Sequence, residues 1–381
     1  MSFPEQEADL ARLSAASRLR RLIPQDGADF SSNDYLGLAS SGLLAEAARE
    51  ALDRGVPVGS GGSRLLRGNH PEHEALEAEV AAFYGHEAAL FLPTGYTANS
   101  ALFATLPQRG DLILHDALIH ASAHEGMRLS RAGAQAFAHN DVTEAERLIR
   151  RYRLDGGKGR IWLAVESLYS MDGDRAPLDD LLALADAHDA VLLIDEAHAT
   201  GVFGEAGKGL SAHLGKRDNL IVLRTFGKAL GCEGAILGGP AVVRDFLVNR
   251  ARGLIFSTAP SPLMAAVARA AIRIVAARDD LREQLWARVR LAESLLAPLG
   301  ARVSGSQILP VIIGDDASTM ALAERLQAAG LDVRGIRPPT VPEGTSRLRV
   351  SITNAASEAD IARLASELHQ AQDDLARFHA A

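Results

Sequence analysis

Leu220-Ile221-Val222-Leu223 runs through Arg224 into Thr225-Phe226-Gly227-Lys228-Ala229-Leu230-Gly231, an apolar segment of strand length followed at once by a small-residue turn that carries a lysine. Such a strand delivers an amine to the mouth of a parallel sheet, where open α/β folds bind their ligands. A lysine partly desolvated in that position can lose its proton and condense with an aldehyde. Taken alone, Lys228 reads more simply as an exposed side chain in a glycine-rich loop, so its neighbours must decide.

Moving outward, Ala190-Val191-Leu192-Leu193-Ile194 ends in Asp195-Glu196-Ala197-His198. Further apolar runs at Ala88–Leu92, Leu112–Leu114, Ile161–Val165 and Ala235–Leu237 alternate with helical patterns. That alternation predicts an α/β fold with a mostly parallel, doubly wound sheet covered by helices. After Ser257-Thr258-Ala259-Pro260-Ser261-Pro262 the chain becomes one long Ala/Arg-rich helical stretch reaching about Leu299. Isolated strands follow near Ile308–Ile313 and Leu348–Ile352, with helices around Thr319–Ala329 and Glu358–Phe378, the pattern of a smaller α+β domain. A helical segment from Glu5 to about Leu22, stopped by Pro24, reads as an arm. The expected organisation is an arm over 1–34, a large cofactor-binding domain over 35–270 and a small C-terminal domain over 271–381.

The 381 residues are 47% hydrophobic, enough to bury a substantial core. A net charge of -8 argues against a general nucleic-acid surface. No apolar run approaches the ~20 residues of a membrane span, and Glu5, Glu7 and Asp9 do not fit a signal peptide. One cysteine, Cys232, rules out an internal disulfide framework and suits a reducing compartment. These features together predict a cytoplasmic protein with no nucleic-acid or membrane partner.

Asp195 would sit at the carboxyl edge of the sheet. A buried carboxylate is costly unless it meets a cation, and a protonated pyridine nitrogen is such a partner. Asp195-Glu196-Ala197-His198 also spells the magnesium box of a helicase family, but the phosphate loop that reading needs is missing: Val222 stands where its first glycine belongs, and Ala229 follows the lysine. Leu90-Phe91-Leu92-Pro93-Thr94-Gly95-Tyr96-Thr97-Ala98-Asn99 gives a strand, a turn and a helix start, whose first amides at Gly95 and Tyr96 make an anion site. Gly59-Ser60-Gly61-Gly62-Ser63-Arg64 reads either as a shaped turn near the site or as a flexible linker. His120 could stack on a cofactor or serve structure, and Ser170 could donate a hydrogen bond or form the turn before Asp172-Gly173. Arg349 alternates with apolar residues on a strand, and its planar fork suits a carboxylate, against the plainer reading of an exposed strand-face arginine. His70 and His73 flank Pro71 and have no third ligand, so surface capping accounts for them better than a metal does.

The lysine turn, together with Phe30-Ser31-Ser32-Asn33-Asp34-Tyr35-Leu36-Gly37-Leu38, Gly59–Arg64, Ser170-Met171-Asp172-Gly173-Asp174, Asp195–His198 and Pro338-Pro339-Thr340-Val341-Pro342, resembles the α-oxoamine synthase family in motif and in order over nearly the whole chain. The resemblance implies a fold type I enzyme with pyridoxal 5'-phosphate (PLP) bonded to Lys228. Asp195 would pair with the pyridine nitrogen, His198 touch the ring oxygen and His120 stack on the ring. Ser170, Thr225 and the amides of Gly95 and Tyr96 would hold cofactor oxygens, and Arg349 the amino-acid carboxylate. Arg20, Asn33 and Thr353 are substrate-side candidates. The resemblance also implies a homodimer with shared active sites, Thr258 reaching the partner's phosphate.

Within the family, Gly59–Arg64 followed by Gly68-Asn69-His70-Pro71 is most similar to members that join L-alanine to a pimeloyl thioester, on CoA or on an acyl carrier protein. Relatives use glycine with short acyl thioesters or serine with fatty acyl ones, and aminotransferases share the fold. Two features depart from the family pattern: the segment from Pro24 to Phe30 is short, and Ala199 stands where glycine or serine often follows.

Overall fold

The structure is a computed structural model that describes residues 3–380. It contains two compact units. The larger comprises Leu36–Tyr169 and Arg175–Arg282; the other gathers Met1–Tyr35, Ser170–Asp174 and Glu283–Ala381. Along the chain, β1 (Ala28–Asp29) is followed by seven strands of the larger unit. These are β2 (Ala88–Leu92), β3 (Leu112–Asp116), β4 (Gly133–Phe137), β5 (Ile161–Glu166), β6 (Val191–Asp195), β7 (Leu220–Thr225) and β8 (Ala235–Gly239). The smaller unit adds β9 (Ile308–Gly314), β10 (Leu331–Asp332), β11 (Arg334–Ile336) and β12 (Ser346–Ser351).

The seven strands form one sheet in the order β2-β8-β7-β6-β5-β3-β4. Only β8 runs against its neighbours; the other pairs are parallel. The mostly parallel α/β sheet expected from the apolar runs is therefore present. Alternating side chains of the central strands β3, β5, β6 and β7 enter two separate cores. Leu193, Ile221 and Leu223 pack on one face with Leu102 and Phe103. Leu192, Ile194, Leu220 and Val222 pack on the other with Leu148 and Leu181. Both faces are covered, which is why these strands are continuously apolar; each buried leucine contributes roughly 1.5–3 kcal/mol of transfer free energy. The edge strand β4, Gly-Ala-Gln-Ala-Phe, is exposed except at Phe137 and has no apolar run to announce it.

Because β2, β3, β6 and β7 share one direction, the segments that follow them emerge at the same edge of the sheet. That edge receives the turns at Thr94–Tyr96, Ile119–His120, Asp195–His198 and Thr225–Lys228.

In the smaller unit, β12 lies between β11 and β9 in an antiparallel sheet, and β1 pairs in parallel with β10. Helices Asp316–Ala328 and Glu358–Ala380 complete the α+β pattern. Two helical expectations need correction. The N-terminal helix covers Pro4–Ala15, buries no residue and stops well before Pro24, with Ser17 in the left-handed region at φ 56°. The long Ala/Arg-rich stretch is two helices, Pro262–Ala277 and Asp279–Leu296, broken at Arg278. Among the described residues, no helix is long and apolar enough to cross a membrane.

Candidate active site

The lysine turn is fixed by its own backbone and by Thr225. Phe226 N–H donates to Gly234 O at 2.9 Å, Gly231 N–H to Lys228 O at 2.8 Å and Cys232 N–H to Phe226 O at 2.8 Å. Thr225 Oγ1 donates to Gly234 O at 3.1 Å. Gly231 has φ 64°, and a Cβ there would lie 2.4 Å from Ala39 N, so the turn needs glycine at this position. The result is a half-buried Lys228 whose Nζ lies 2.6 Å from Nε2 of the buried His198.

Asp195, the last residue of β6, accepts from Ala197 N–H through Oδ1 at 2.9 Å and from Asn99 Nδ2 through Oδ2 at 2.7 Å. Asn99 Nδ2 also reaches Ser122 Oγ at 3.0 Å, and Ser122 Oγ lies 2.7 Å from Nδ1 of His120. Burial pulls the His120 imidazole below the ordinary histidine range; the Asp195 carboxylate opposes this and the Lys228 ammonium reinforces it. Lys228 with His198, and Asp195 with His120, are thus sets that the larger unit brings together. Glu196 is fully buried and accepts the backbone N–H groups of Leu210 and Ser211, a clamp on that loop.

Also in the larger unit, the helix Gly95–Thr105 starts with a capping box between Thr94 and Thr97. The amides of Gly95 and Tyr96 have no acceptor within the helix by its geometry. A Cβ on Gly95 would meet Thr225 at 3.7 Å, an ordinary contact. The protein alone therefore does not demand glycine there; the side chain would instead fill a cradle floored by Thr225. An anion close to the backbone would account for both the missing side chain and the amides left over at the helix start. With an amine at Lys228 and a carboxylate at Asp195, this donor set fits a phosphorylated pyridine aldehyde.

The smaller unit holds a second set. Arg349 is buried and donates from Nε to Ser170 O at 2.6 Å, from Nη1 to Ser351 Oγ at 2.7 Å and from Nη2 to Asn33 Oδ1 at 3.0 Å. Its fork is pre-set by these acceptors, and Nη1 carries a second N–H beyond the one given to Ser351. Arg349 is thus no exposed strand-face arginine. Asn33 and Ser170 meet Arg349 as neighbours. Thr353 is fully buried and caps Ala355 N–H, whereas Arg20 is exposed, with its guanidinium 3.3 Å from the Thr340 hydroxyl.

His70, His73 and the Gly59–Arg64 segment have plain structural roles. His70 caps the helix Pro71–Tyr84, and His73 returns the capping interaction. His73 is fully buried, with Nε2 on Pro260 O at 2.9 Å, so its capping is internal and not at the surface. The Gly59–Arg64 segment is a tied turn: Gly62 O accepts from Ala259 N–H at 2.9 Å, and Arg64 forks onto Glu77 at 2.9 and 3.1 Å. Thr258 is exposed. Asn99 and Ser122 were not assigned from sequence. The available signal was an amide on a helix otherwise lined by Ala98, Ala101, Leu102 and Phe103, one turn after Gly95, with buried polar groups requiring partners.

Comparison with known proteins agrees with this chemistry. The family model for aminotransferase class I and II matches residues 25–368. The chain is 40% identical over 385 residues to the 8-amino-7-oxononanoate synthase of Marinobacter nauticus, covering 97% of this chain and 96% of that one. It is 39% identical over 384 residues to 8-amino-7-oxononanoate synthase 2 of Bacillus subtilis, covering 96% and 97%. Among solved structures, a variant of serine palmitoyltransferase from S. paucimobilis with a bound PLP–myriocin aldimine superposes with a TM-score of 0.89 at 27% identity, covering 98% of each chain. On this fold, site chemistry and full-length similarity, the chain belongs to the class I and II aminotransferase family and, within it, to the PLP-dependent acyltransferases of the 8-amino-7-oxononanoate synthase family.

Proposed function

We propose that this enzyme condenses L-alanine with a pimeloyl thioester, on CoA or an acyl carrier protein, to give 8-amino-7-oxononanoate, carbon dioxide and free thiol in biotin synthesis, acting in the cytoplasm as a homodimer. The observation that carries this reading is end-to-end similarity to enzymes of that name, combined with an amine, a carboxylate and an anion cradle at one sheet edge.

Bound PLP supplies an aldehyde for amines and a cationic ring that draws electron density from the adjacent carbon. Lys228 would hold that aldehyde, Asp195 would pair with the ring nitrogen, and His198 and His120 would line the ring. By the family resemblance, the amides of Gly95 and Tyr96 and the hydroxyl of Thr225 would hold cofactor oxygens, as would Ser170 and, from a second copy, Thr258. Arg349, supported by Asn33, takes the alanine carboxylate; Arg20 and Thr353 serve the substrate side. Lys228 Nζ would take the Cα proton of bound alanine and later give a proton back to the same carbon. Between those transfers the alanine Cα bonds to the thioester carbonyl carbon, the C–S bond breaks to release the thiol, and the carboxylate leaves as carbon dioxide.

Thiol release from pimeloyl-CoA, acetyl-CoA and palmitoyl-CoA, each with alanine, glycine and serine, tests the assignment. Preference for alanine with pimeloyl-CoA is expected. Preference for glycine with acetyl-CoA or serine with palmitoyl-CoA would replace it with a sister activity, and amino exchange without thiol release with an aminotransferase.

A further inference from the structure

The His120, Ser122, Asn99 and Asp195 side chains form one continuous hydrogen-bonded chain, and only one arrangement of its protons is self-consistent. Ser122 backbone N–H donates to His120 Nδ1 at 3.2 Å, so Nδ1 presents its lone pair. Ser122 Oγ, 2.7 Å from the same nitrogen, must then donate its own proton there. The hydroxyl oxygen is left as an acceptor for Asn99 Nδ2 at 3.0 Å. The second Asn99 N–H goes to Asp195 Oδ2 at 2.7 Å. Turning the amide over would set its carbonyl oxygen against Asp195 Oδ2, acceptor facing acceptor, and leave both Asp195 Oδ2 and Ser122 Oγ without their donor, so the orientation is forced.

We propose that Asn99 and Ser122 are positioning residues that lock His120 as the neutral tautomer with its proton on Nε2, making the imidazole a hydrogen-bond donor at the reacting centre while the same amide steadies the Asp195 carboxylate. The proposal rests on the reading of His120 and Asp195 as the groups that face the cofactor ring. It adds a direction: His120 gives a hydrogen bond to an oxygen of the reactants and does not serve as a base. A proton on Nδ1 would face the Ser122 backbone N–H, a donor that cannot reverse its role, which is the physical reason the other tautomer and the imidazolium are disfavoured.

Long-range proton–nitrogen NMR of the PLP-loaded full chain with nitrogen-labelled histidine reads the tautomer directly, the His120 signal being assigned by its loss in His120→Gln. The wild type and Ser122→Thr are expected to carry the proton on Nε2. In Ser122→Ala the ratio of Nε2–H to Nδ1–H falls roughly fivefold, the effect of losing one ordinary net hydrogen bond, and Asn99→Leu shifts it the same way. A wild-type His120 protonated on Nδ1, or a Ser122→Ala spectrum identical to wild type, overturns the proposal. The measurement needs no substrate, so a positive tautomer result beside failed thiol release would reject the proposed reaction and leave the hydrogen-bonded relay standing.

Discussion

Lys228 Nζ lies 2.6 Å from His198 Nε2, joining the turn after β7 to the turn after β6 through a pair of basic nitrogens. The contact aims the lysine at the sheet edge where Asp195 ends its strand. Lys228→Ala should remove both the attachment point of PLP and the proton carrier. Reconstituted variant protein is expected to lack the visible absorbance of lysine-bound cofactor, and thiol release should fall by about 10³-fold or more. A variant that keeps the absorbance band would show that another amine holds the aldehyde.

Arg349 has acceptors already placed around its fork. A lysine in its place would carry a compact ammonium that cannot serve Ser170 O, Ser351 Oγ and Asn33 Oδ1 together. Arg349→Lys is expected to raise the KM for alanine at least tenfold with a smaller change in kcat, and to cost about 1–3 kcal/mol of stability through buried acceptors left unserved. Steady-state kinetics and urea unfolding check the two parts separately; an unchanged KM for alanine would remove Arg349 from carboxylate binding.

Two glycines should behave oppositely. Gly231→Ala forces a side chain into the left-handed region and to 2.4 Å from Ala39 N, and should destabilise the fold by about 2 kcal/mol or more. Gly95→Ala meets nothing nearer than Thr225 at 3.7 Å. Its melting temperature should stay within a few degrees of wild type, while its affinity for PLP drops about tenfold or more because the methyl group occupies the phosphate cradle. Equal PLP affinity in Gly95→Ala would place the phosphate elsewhere.

Burial, reinforced by Arg64, pushes His73 down to about 4 from an ordinary value of 6.5. Between those values the unfolded chain binds a proton that the native chain refuses, so native stability falls as pH drops through that window. The contribution is on the order of 3 kcal/mol. His86, lowered to about 3 by burial and then by Arg224, adds to the same slope. Chemical denaturation at pH 7, 6, 5 and 4.5 should show declining stability, with a shallower decline in His73→Gln; identical slopes would mean that His73 titrates normally in the folded protein.

The sheet was legible because its buried strands are short continuous apolar runs, and Asp195, His198 and Lys228 were legible because Asp195 ends one such run and the other two lie in the turns just beyond. Edge strand β4 was hidden by its own exposure. The link from Asn99 to Asp195 spans 96 positions, and no local periodicity encodes which amide meets which carboxylate. His73 resembled a surface cap because capping is local, whereas its burial against Pro260 is a contact across 187 positions. The early end of the first helix has the same origin: Ala16 to Arg20 are compatible with helix by composition, and the turn at Ser17 overrides that propensity.

The decarboxylative condensation is tested most directly by supplying L-alanine labelled in its carboxyl group together with pimeloyl-CoA, and counting labelled carbon dioxide and free thiol in the same vessel. One carbon dioxide per thiol, with 8-amino-7-oxononanoate recovered and neither gas nor thiol formed by Lys228→Ala, is the predicted result. Thiol without carbon dioxide, or pyruvate without thiol, would contradict it.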